Sequence, residues 1–156
     1  MVKPEIKQAC TPAEIAGVKR LFALYLAVLE TEFDNAVGCA QGQQDLEDFP
    51  NGYLALFLGT LEETPYAACG LKHINDEDCE LGKLYCQPEG RGHALGIKLT
   101  KAVIVHARNL GYKRLVLSTE PVMEHAVKLY TGLGFQPIDK YMQTQSACSR
   151  FMGLGL

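Results

Sequence analysis

Hydrophobic residues near the start of the chain recur at the spacing of one helix face. Steps of three and four residues separate Ile15, Val18, Phe22, Tyr25, Leu26 and Leu29. This period predicts an amphipathic helix that packs its apolar side on a sheet. The preceding Thr11-Pro12-Ala13-Glu14 supplies an N-cap, a proline at the first helical position and an acid in the first turn. We therefore expect the helix to begin at Pro12 and to run to about Phe33.

The rest of the chain alternates between strand-like and helix-like segments. Strands are predicted at residues 2–9, 53–58, 66–74, 79–86, 114–119, 135–142 and 148–154. Helices are predicted at residues 45–48, 95–110 and 122–133, with Gly111 and Gly134 ending the last two. A polar turn over residues 59–64 is expected to join two of the strands. No repeat or linker interrupts this order, which predicts one α/β domain over residues 1–156.

Composition excludes several classes of protein. The 156 residues are 47% hydrophobic and 21% charged, which is typical of a globular protein and excludes a disordered or fibrous one. The net charge of -3 gives no basic footprint for duplex nucleic acid. Residues 1–80 hold 5 Lys/Arg against 14 Asp/Glu, whereas residues 81–156 hold 10 against 4. The basic half is suited to a compact anion such as a phosphorylated cofactor.

Cysteine spacing and hydropathy indicate the compartment. The six cysteines, at positions 10, 39, 69, 79, 86 and 148, form no CxxC pair and no cluster with the spacing of a zinc site. We read them as reduced thiols and expect no bound metal. The N-terminus lacks an apolar secretory core, and the longest apolar stretch, residues 21–29, is half the length that spans a bilayer. We expect a cytoplasmic protein with neither membrane nor nucleic acid as a partner.

A glycine-rich loop lies between the strand ending at Cys86 and the next predicted helix. Residues 88–96 read Pro-Glu-Gly-Arg-Gly-His-Ala-Leu-Gly, so backbone N–H groups and the positive end of the helix dipole can face an anion. A P-loop would need Gly-Lys-Ser/Thr, and a dinucleotide fingerprint a third glycine where Leu95 stands. Neither is present. From these residues alone, a glycine-rich helix start without a ligand stays open.

Two segments carry a family resemblance. The first is residues 81–96, which read Leu-Gly-Lys-Leu-Tyr-Cys-Gln-Pro-Glu-Gly-Arg-Gly-His-Ala-Leu-Gly. The second is residues 126–135, which contain Ala-Val-Lys-Leu-Tyr and Gly-Leu-Gly-Phe. Both resemble the GNAT superfamily of acetyl-CoA-dependent N-acetyltransferases. The family's Gln/Arg-x-x-Gly-x-Gly/Ala signature falls on residues 89–94, and its A-x-x-L-Y-x-x-x-G-F pattern on residues 126–135. The resemblance is strong over residues 80–141 and rests on element order elsewhere.

The resemblance implies a fold and a cofactor. The fold, α/β in the broad α+β sense, would be a mixed, mostly antiparallel sheet of about seven strands flanked by about four helices. It would be splayed between the cofactor strand and the next one. Acetyl-CoA would lay its pantetheine along Leu84, Tyr85 and Cys86 by main-chain pairing. Its pyrophosphate would be cradled by Arg91, Gly92, His93, Ala94, Leu95, Gly96 and Ile97.

Three basic residues and one acidic residue near the loop bear on whether it can bind a pyrophosphate. Arg91, Lys98 and Lys101 would supply a positive field, although a solvated helix face explains them equally well. Glu89 stands where the family has Gln or Arg, and we expect its side chain to point away because backbone amides dominate such loops. Met123 stands where many members carry an asparagine that helps to hold the cofactor.

Two residues match catalytic positions of the family. Tyr130 matches a tyrosine beside the cofactor sulfur and could protonate the departing thiolate; core packing is its alternative role. Glu80 matches a position where some members carry a carboxylate base, and an exposed strand-end acid is the alternative. Weaker candidates are His73, Glu77 and His125. A thiol nucleophile at Cys79 or Cys86, partnered by one of those histidines, is a separate hypothesis that apolar neighbours disfavour.

The resemblance implies acetylation of a primary amine by direct transfer in a ternary complex. A non-catalytic acyl-CoA sensor of the same fold is the alternative, and a homodimer is compatible with both. The acceptor is expected to be a small molecule or a peptide, bound by residues 29–48, 73–80 and 143–149. Six acids there would attract a protonated amine or merely be solvated: Glu30, Glu32, Asp34, Asp45, Glu47 and Asp48.

Overall fold

Seven strands form one sheet that carries helices on both faces. The computed structural model describes residues 2–32, 46–119, 124–141 and 150–156, without the side chains of residues 30–32. The strands are β1 Pro4–Gln8, β2 Ala55–Leu61, β3 Thr64–His73, β4 Asp78–Cys86, β5 Arg114–Thr119, β6 Gln136–Pro137 and β7 Arg150–Gly155. The helices are α1 Pro12–Glu32, α2 Leu95–Asn109 and α3 Glu124–Gly132. Residues 46–48 add one helical turn, and the sheet order is β1-β2-β3-β4-β5-β7-β6.

The start of α1 is fixed by reciprocal capping. The Thr11 hydroxyl accepts a hydrogen bond from the Glu14 amide at 3.2 Å, and the Glu14 carboxylate accepts bonds from the amides of Thr11 and Cys10, both at 3.0 Å. These backbone bonds lower the pKa of Glu14 to about 2. Such an arrangement satisfies amides that precede the first intrahelical bond. The predicted helix start is confirmed.

Each face of the sheet is covered by a different helix layer. On one face, α1 buries Val18, Leu21 and Phe22 against β2 and β3. On the other face, α2 and α3 pack on the sheet through a larger cluster that includes Leu99, Val103, Leu115, Tyr130 and Phe135. The helix that follows the glycine loop, α2, therefore shares its core with α3.

The predicted turn over residues 59–64 is wrong. β2 continues through Leu61 and β3 begins at Thr64, so only Glu62 and Glu63 form the turn, with φ of 50° and 69°. Gly59 suggested a turn, but a Cβ at this position would lie 3.2 Å from Leu95 Cδ2. The glycine thus permits close packing of the sheet against α2, which the sequence pattern could not distinguish from a turn.

The predicted strand at residues 135–142 is also shorter in the structure. Only Gln136–Pro137 pairs with β7, and the Ile138 amide then donates a single bond to the Phe151 carbonyl at 2.9 Å. Proline has no amide hydrogen, so it limits ladder pairing at this sheet edge. The strand predicted at residues 114–119 is confirmed with its bounds.

The sheet opens between β4 and β5. These parallel strands pair only through Asp78 with Arg114, Cys79 with Leu115 and Glu80 with Val116. β4 then continues to Cys86 paired with β3, while β5 pairs with β7 on its other side. Beyond Glu80, β4 has no further pairing with β5, which leaves a gap between the two strands. The predicted fold class, including its splay, is confirmed.

The closed end of this gap is held by an ion pair. Arg114 donates two hydrogen bonds to the Asp78 carboxylate, at 3.0 and 2.8 Å, and Asp78 is buried. This bidentate contact lowers the pKa of Asp78 below its ordinary value. The stabilisation is therefore present above about pH 4, the unfolded value, and is lost as the pH falls through the lower folded value.

Asp78→Asn is expected to lower the free energy of unfolding at neutral pH by about 2 kcal/mol, the range for a hydrogen bond to a charged group. Urea unfolding at neutral and acidic pH tests this, because the difference from wild type should shrink in acid. Glu77→Gln is the matched control, since Glu77 and Lys113 form an exposed pair at 3.7 Å and exposed pairs contribute little. Equal losses in both variants would contradict the assignment.

Candidate active site

The loop that follows β4 is shaped by two residues with positive φ. A 3₁₀ turn, Pro88–Gly90, leads to Gly92 with φ of 90° and Ala94 with φ of 59°, after which α2 begins. A Cβ at Gly92 would meet nothing within 4 Å, so backbone conformation and not crowding selects glycine there. Gly90 is different: it is buried, and a Cβ would collide with Tyr66.

Backbone amides converge at the start of α2. The first main-chain bond of the helix runs from the Lys98 amide to the Ala94 carbonyl at 3.0 Å. The amides of Leu95, Gly96 and Ile97 precede it and have no acceptor within the helix. Together with the positive end of the helix dipole they form a setting for an anion. The predicted phosphate cradle therefore has its strongest physical basis at these residues.

The amides of Gly90 and of Arg91, the first residue of the predicted cradle, already make local hydrogen bonds. The Gly90 amide donates to the Gln87 carbonyl at 2.9 Å, and the Arg91 amide to the Pro88 carbonyl at 3.2 Å. Arg91 also turns its side chain back, with Nε 3.4 Å from the Cys86 carbonyl. Its guanidinium thus lies near the end of β4, where it adds positive charge beside the loop. Glu89 is exposed on the 3₁₀ turn.

β4 carries a bulge beside the gap. Ala68 pairs with Tyr85 and Gly70 with Gly82, so Lys83 and Leu84 both oppose one residue of β3, and Lys83 has φ of 54°. Bulges re-aim side chains and are frequent beside active sites. From Leu84 onwards the side chains alternate: Leu84 and Cys86 pack on the α2 face, whereas Tyr85 packs on the α1 face.

Tyr130 lies in the core beneath this region. The residue is 6% exposed, and its ring packs on Phe135 with centroids 5.5 Å apart. Burial raises the pKa of Tyr130 well above its ordinary value, and Tyr25 and Cys69 raise it further. Tyr25 belongs to α1 on the opposite face and contacts Tyr85 there, with centroids 5.9 Å apart.

Glu80 lies where the gap closes. It is the last residue of β4 paired with β5 and stands opposite Lys72 on β3. The Tyr141 hydroxyl donates to its Oε2 at 2.7 Å. Glu80 is half-buried, which differs from the exposed strand-end acid considered as its alternative. The partnership with Tyr141, 61 residues away in sequence, has no local sequence signal.

Comparison with known proteins identifies the family. The Acetyltransferase (GNAT) family matches residues 18–135. The chain belongs to the GNAT family. An uncharacterised N-acetyltransferase of Schizosaccharomyces pombe is 41% identical over 63 residues, which are 40% of this chain and 39% of that protein. The chain thus spans about two fifths of the length of this curated relative.

Solved structures show the same fold. A GNAT-family acetyltransferase of Staphylococcus aureus has a TM-score of 0.78 at 19% identity, covering 98% of this chain and 99% of its own. A Salmonella typhimurium protein solved with its cofactor acetyl-CoA has a TM-score of 0.69 at 19% identity, covering 98% and 94%. Acetyl-CoA is the cofactor that the GNAT family uses.

The other candidate bases of this GNAT chain lie elsewhere. His73 pairs with Cys79, at the end of β4 remote from the glycine loop, and its Nδ1 is 2.7 Å from the Tyr112 hydroxyl. His125 is exposed at the start of α3, and Glu77 is exposed in the turn before β4. The structure gives them no shared position with the loop or with Tyr130.

The thiols are poor nucleophiles. Cys69 and Cys79 are fully buried, and burial raises the pKa of Cys79 to about 12. Burial also raises the pKa of Cys86 above its ordinary value. A neutral thiol is a weak nucleophile, so the structure disfavours a covalent thiol mechanism at these residues. In the described part of the chain, Cys10, Cys69, Cys79 and Cys86 are free cysteines; Cys39 and Cys148 lie outside it.

Aromatic rings and lysines line the α1 face beside Glu80. Phe22 and Phe49 contact the Tyr53 ring with centroids 5.7 and 5.9 Å away. Lys83 Nζ donates to the Tyr53 hydroxyl at 3.1 Å, and Lys72 Nζ lies 4.8 Å from the Tyr53 ring centroid. Sequence reasoning missed this cluster, because it joins segments that are distant along the chain.

Most of the predicted acceptor site lies outside the described residues. This applies to Asp34, Asp45, residues 143–149 and the side chains of Glu30 and Glu32, as well as to Met123 of the cofactor prediction. Glu47 and Asp48 are exposed. Among the residues that are described, no group of three or more His, Cys, Asp or Glu side chains could hold a metal ion. No helix in this part of the chain is long and apolar enough to cross a membrane.

Proposed function

We propose that this chain binds acetyl-CoA in the gap between β4 and β5 and transfers the acetyl group to a primary amine. The observation that carries the proposal is the continuity of the site. The edge of β4 that leaves the β5 ladder runs from Glu80 to Cys86, and the amides at the start of α2 follow it. Six strand positions span at most about 20 Å, which suits an extended chain that ends in a phosphate.

Acetyl-CoA would be bound partly by backbone hydrogen bonds and partly by positively charged side chains. The amides of Gly92, His93, Ala94, Leu95, Gly96 and Ile97 would hold the pyrophosphate, with Arg91, Lys98 and Lys101 around it. Leu84, Tyr85 and Cys86 would pair with pantetheine through their backbone. Glu89 is exposed, so water can screen its charge from the phosphates.

Two side chains would move protons during transfer. Acetyl-CoA supplies an activated acyl group as a thioester. The Glu80 carboxylate would take a proton from the attacking amine, since only a neutral amine is nucleophilic. Burial keeps the Tyr130 phenol protonated and also makes it a weaker acid, so it would give its proton to the departing sulfur as negative charge develops there and would regain a proton from solvent. The amine nitrogen gains the acetyl carbon, the carbon–sulfur bond breaks, and the thiol leaves.

Tyr130→Phe is expected to lower kcat by about tenfold while leaving acetyl-CoA affinity unchanged. The ring and its packing on Phe135 are retained, so only the proton donor is lost. The effect is moderate because a thiol of pKa near 8.5 leaves fairly well as the thiolate. Initial-rate assays and isothermal titration measure the two quantities. Wild-type kcat would leave Tyr130 with its alternative role, core packing.

A direct transfer predicts that no acetylated protein accumulates. Intact-mass measurement after incubation with acetyl-CoA alone should show the unmodified chain, and initial rates should give intersecting double-reciprocal lines. Acetyl attached to Cys79 or Cys86, with parallel lines, would favour the thiol mechanism. The raised pKa values of both thiols support the first outcome.

Activity itself separates an enzyme from an acyl-CoA sensor of the same fold. The amine panel should contain spermidine, free amino acids, an aminoglycoside, and peptides with a lysine or a free N-terminus, each assayed by thiol release. Release that depends on one amine class supports the enzyme. Tight acetyl-CoA binding without release would favour the sensor. A single domain over residues 1–156, a cytoplasmic location and a homodimer remain predictions.

A further inference from the structure

Tyr141 joins Glu80 of β4 to the neighbouring strands β5 and β7. Its hydroxyl donates to Glu80 Oε2 at 2.7 Å, a distance typical of a strong bond to a carboxylate. Its ring packs edge-on against Phe151 of β7, with centroids 5.2 Å apart and planes at 83°. The Ser118 side chain lies close enough to lower the pKa of the Tyr141 hydroxyl, and Ser118 pairs with Phe151 across β5 and β7. These contacts fix the phenol to the part of the sheet beyond the gap.

This contact bridges the two strands at the point where they separate. Glu80 is the last β4 residue in register with β5, whereas Tyr141 is anchored to β5 and β7. The hydrogen bond from Tyr141 therefore ties the Glu80 side chain to the strands on the far side of the gap.

The charges around the pair favour a phenol that donates. Burial raises the pKa of Tyr141 well above its ordinary value, and the Glu80 charge raises it further. The phenol therefore keeps its proton and does not compete with Glu80 as a base. The other charged groups on these strands are Lys72 on β3, Asp78 and Lys83 on β4, Arg114 on β5 and Arg150 on β7. Asp78 and Arg114 bind each other.

We propose that Tyr141 is a positioning residue for acetyl transfer, which orients the Glu80 carboxylate towards the acceptor amine through its hydrogen bond to Oε2. The proposal rests on the proposed function, because it assumes that Glu80 is the base. A base must lie within hydrogen-bond reach of the proton that it takes, and small displacements of such groups lower rates steeply.

Tyr141→Phe tests the role without changing the ring. With an amine that wild type acetylates, kcat should fall by about tenfold even at a pH where the carboxylate is fully ionised, and KM for acetyl-CoA should not change. The acidic limb of the kcat/KM profile should move to higher pH, because a lost hydrogen bond disfavours the charged carboxylate. Ser118→Ala, which keeps the whole tyrosine, should give a smaller change in the same direction.

Tyr112→Phe is the matched control. It removes a hydroxyl with an equally short contact, 2.7 Å to His73 Nδ1, at the end of β4 remote from the loop. It should leave kcat and the pH profile as in wild type. A kcat of Tyr141→Phe equal to wild type, or an unmoved acidic limb, would overturn the proposal.

A measurement that needs no acceptor separates this proposal from the proposed function. Carboxyl carbon NMR of ¹³C-labelled protein can follow the Glu80 titration, assigned with Glu80→Gln. The titration should move to higher pH in Tyr141→Phe, and an unchanged titration overturns the inference that Tyr141 holds the carboxylate. A wild-type protein that acetylates no amine contradicts the proposed function, and a moved titration would then still support the Tyr141 contact while overturning its role in transfer.

Discussion

Gly92→Glu is expected to abolish acetyl-CoA binding in isothermal titration. The change has two separate costs at one position. A side chain at φ of 90° imposes about 1–2 kcal/mol of backbone strain, which would distort the loop. The new carboxylate would also face the phosphates, and like charges brought together cost several kcal/mol. The sum corresponds to a loss of affinity of more than about 10²-fold.

Gly111→Glu provides the matched control for this change. Gly111 has φ of 92°, and a Cβ there would meet nothing within 4 Å. The same strain and charge are thereby introduced at the opposite end of α2. This variant should lose some stability but keep its affinity for acetyl-CoA. If Gly92→Glu binds as wild type does, the phosphates lie elsewhere; if both variants lose binding, the effect is on the fold.

Glu80→Gln is expected to lower kcat by about 10²-fold, the usual contribution of a general base. The amide can still accept the Tyr141 hydrogen bond, so the geometry at the closed end of the gap is retained while the ability to take a proton is lost. Acetyl-CoA affinity should be unchanged, because the anion-binding amides are at the other end of β4. Initial rates of thiol release over a range of pH measure the effect.

The pH dependence distinguishes a base from a structural carboxylate. As the pH approaches the pKa of the amine, about 10 for a lysine-like acceptor, more of the acceptor is already neutral. The deficit of Glu80→Gln should therefore narrow at high pH. Glu77→Gln, three residues earlier and exposed, should behave as wild type at every pH. A constant deficit, or none, would argue against Glu80 as the base.

The parts of the fold that sequence predicts well have short-range causes. The Thr11 and Glu14 capping contacts involve neighbours along the chain, and the positive φ of Gly92 and Gly111 follows from glycine's own freedom. The loop and both flanking elements were therefore accessible from sequence. Gly59 led to a wrong turn prediction because its role depends on a long-range contact: the missing side chain makes room for Leu95 of α2.

Sequence predicts the part of the candidate site that is built from backbone amides in a recognisable motif. The amides at the start of α2 follow from a glycine loop before a helix. The Glu80 contact with Tyr141 and the Lys83 contact with Tyr53 were not predictable, since they join residues 61 and 30 positions apart. The structure also refines the loop, because the amides of Gly90 and Arg91 are used locally.

The structure agrees with only part of the interpretation that the basic half of the chain binds the cofactor and the acidic half binds the amine. Arg91, Lys98 and Lys101 are exposed around the loop, as expected of the basic half of the chain. On the α1 face the charges are not all acidic, because Lys72 and Lys83 lie beside the Tyr53 ring. An acceptor that combines an amine with a hydrogen-bonding or anionic group belongs in the panel for that reason.

The most direct measurement is thiol release from acetyl-CoA with the amine panel, run in parallel with mass detection of the acetylated amine. Acetyl transfer in the proposed gap predicts equal amounts of free thiol and acetylated product with at least one amine class, and loss of both in Gly92→Glu but not in Gly111→Glu. Transfer that persists at the wild-type rate in Gly92→Glu, or no transfer to any amine, would contradict it.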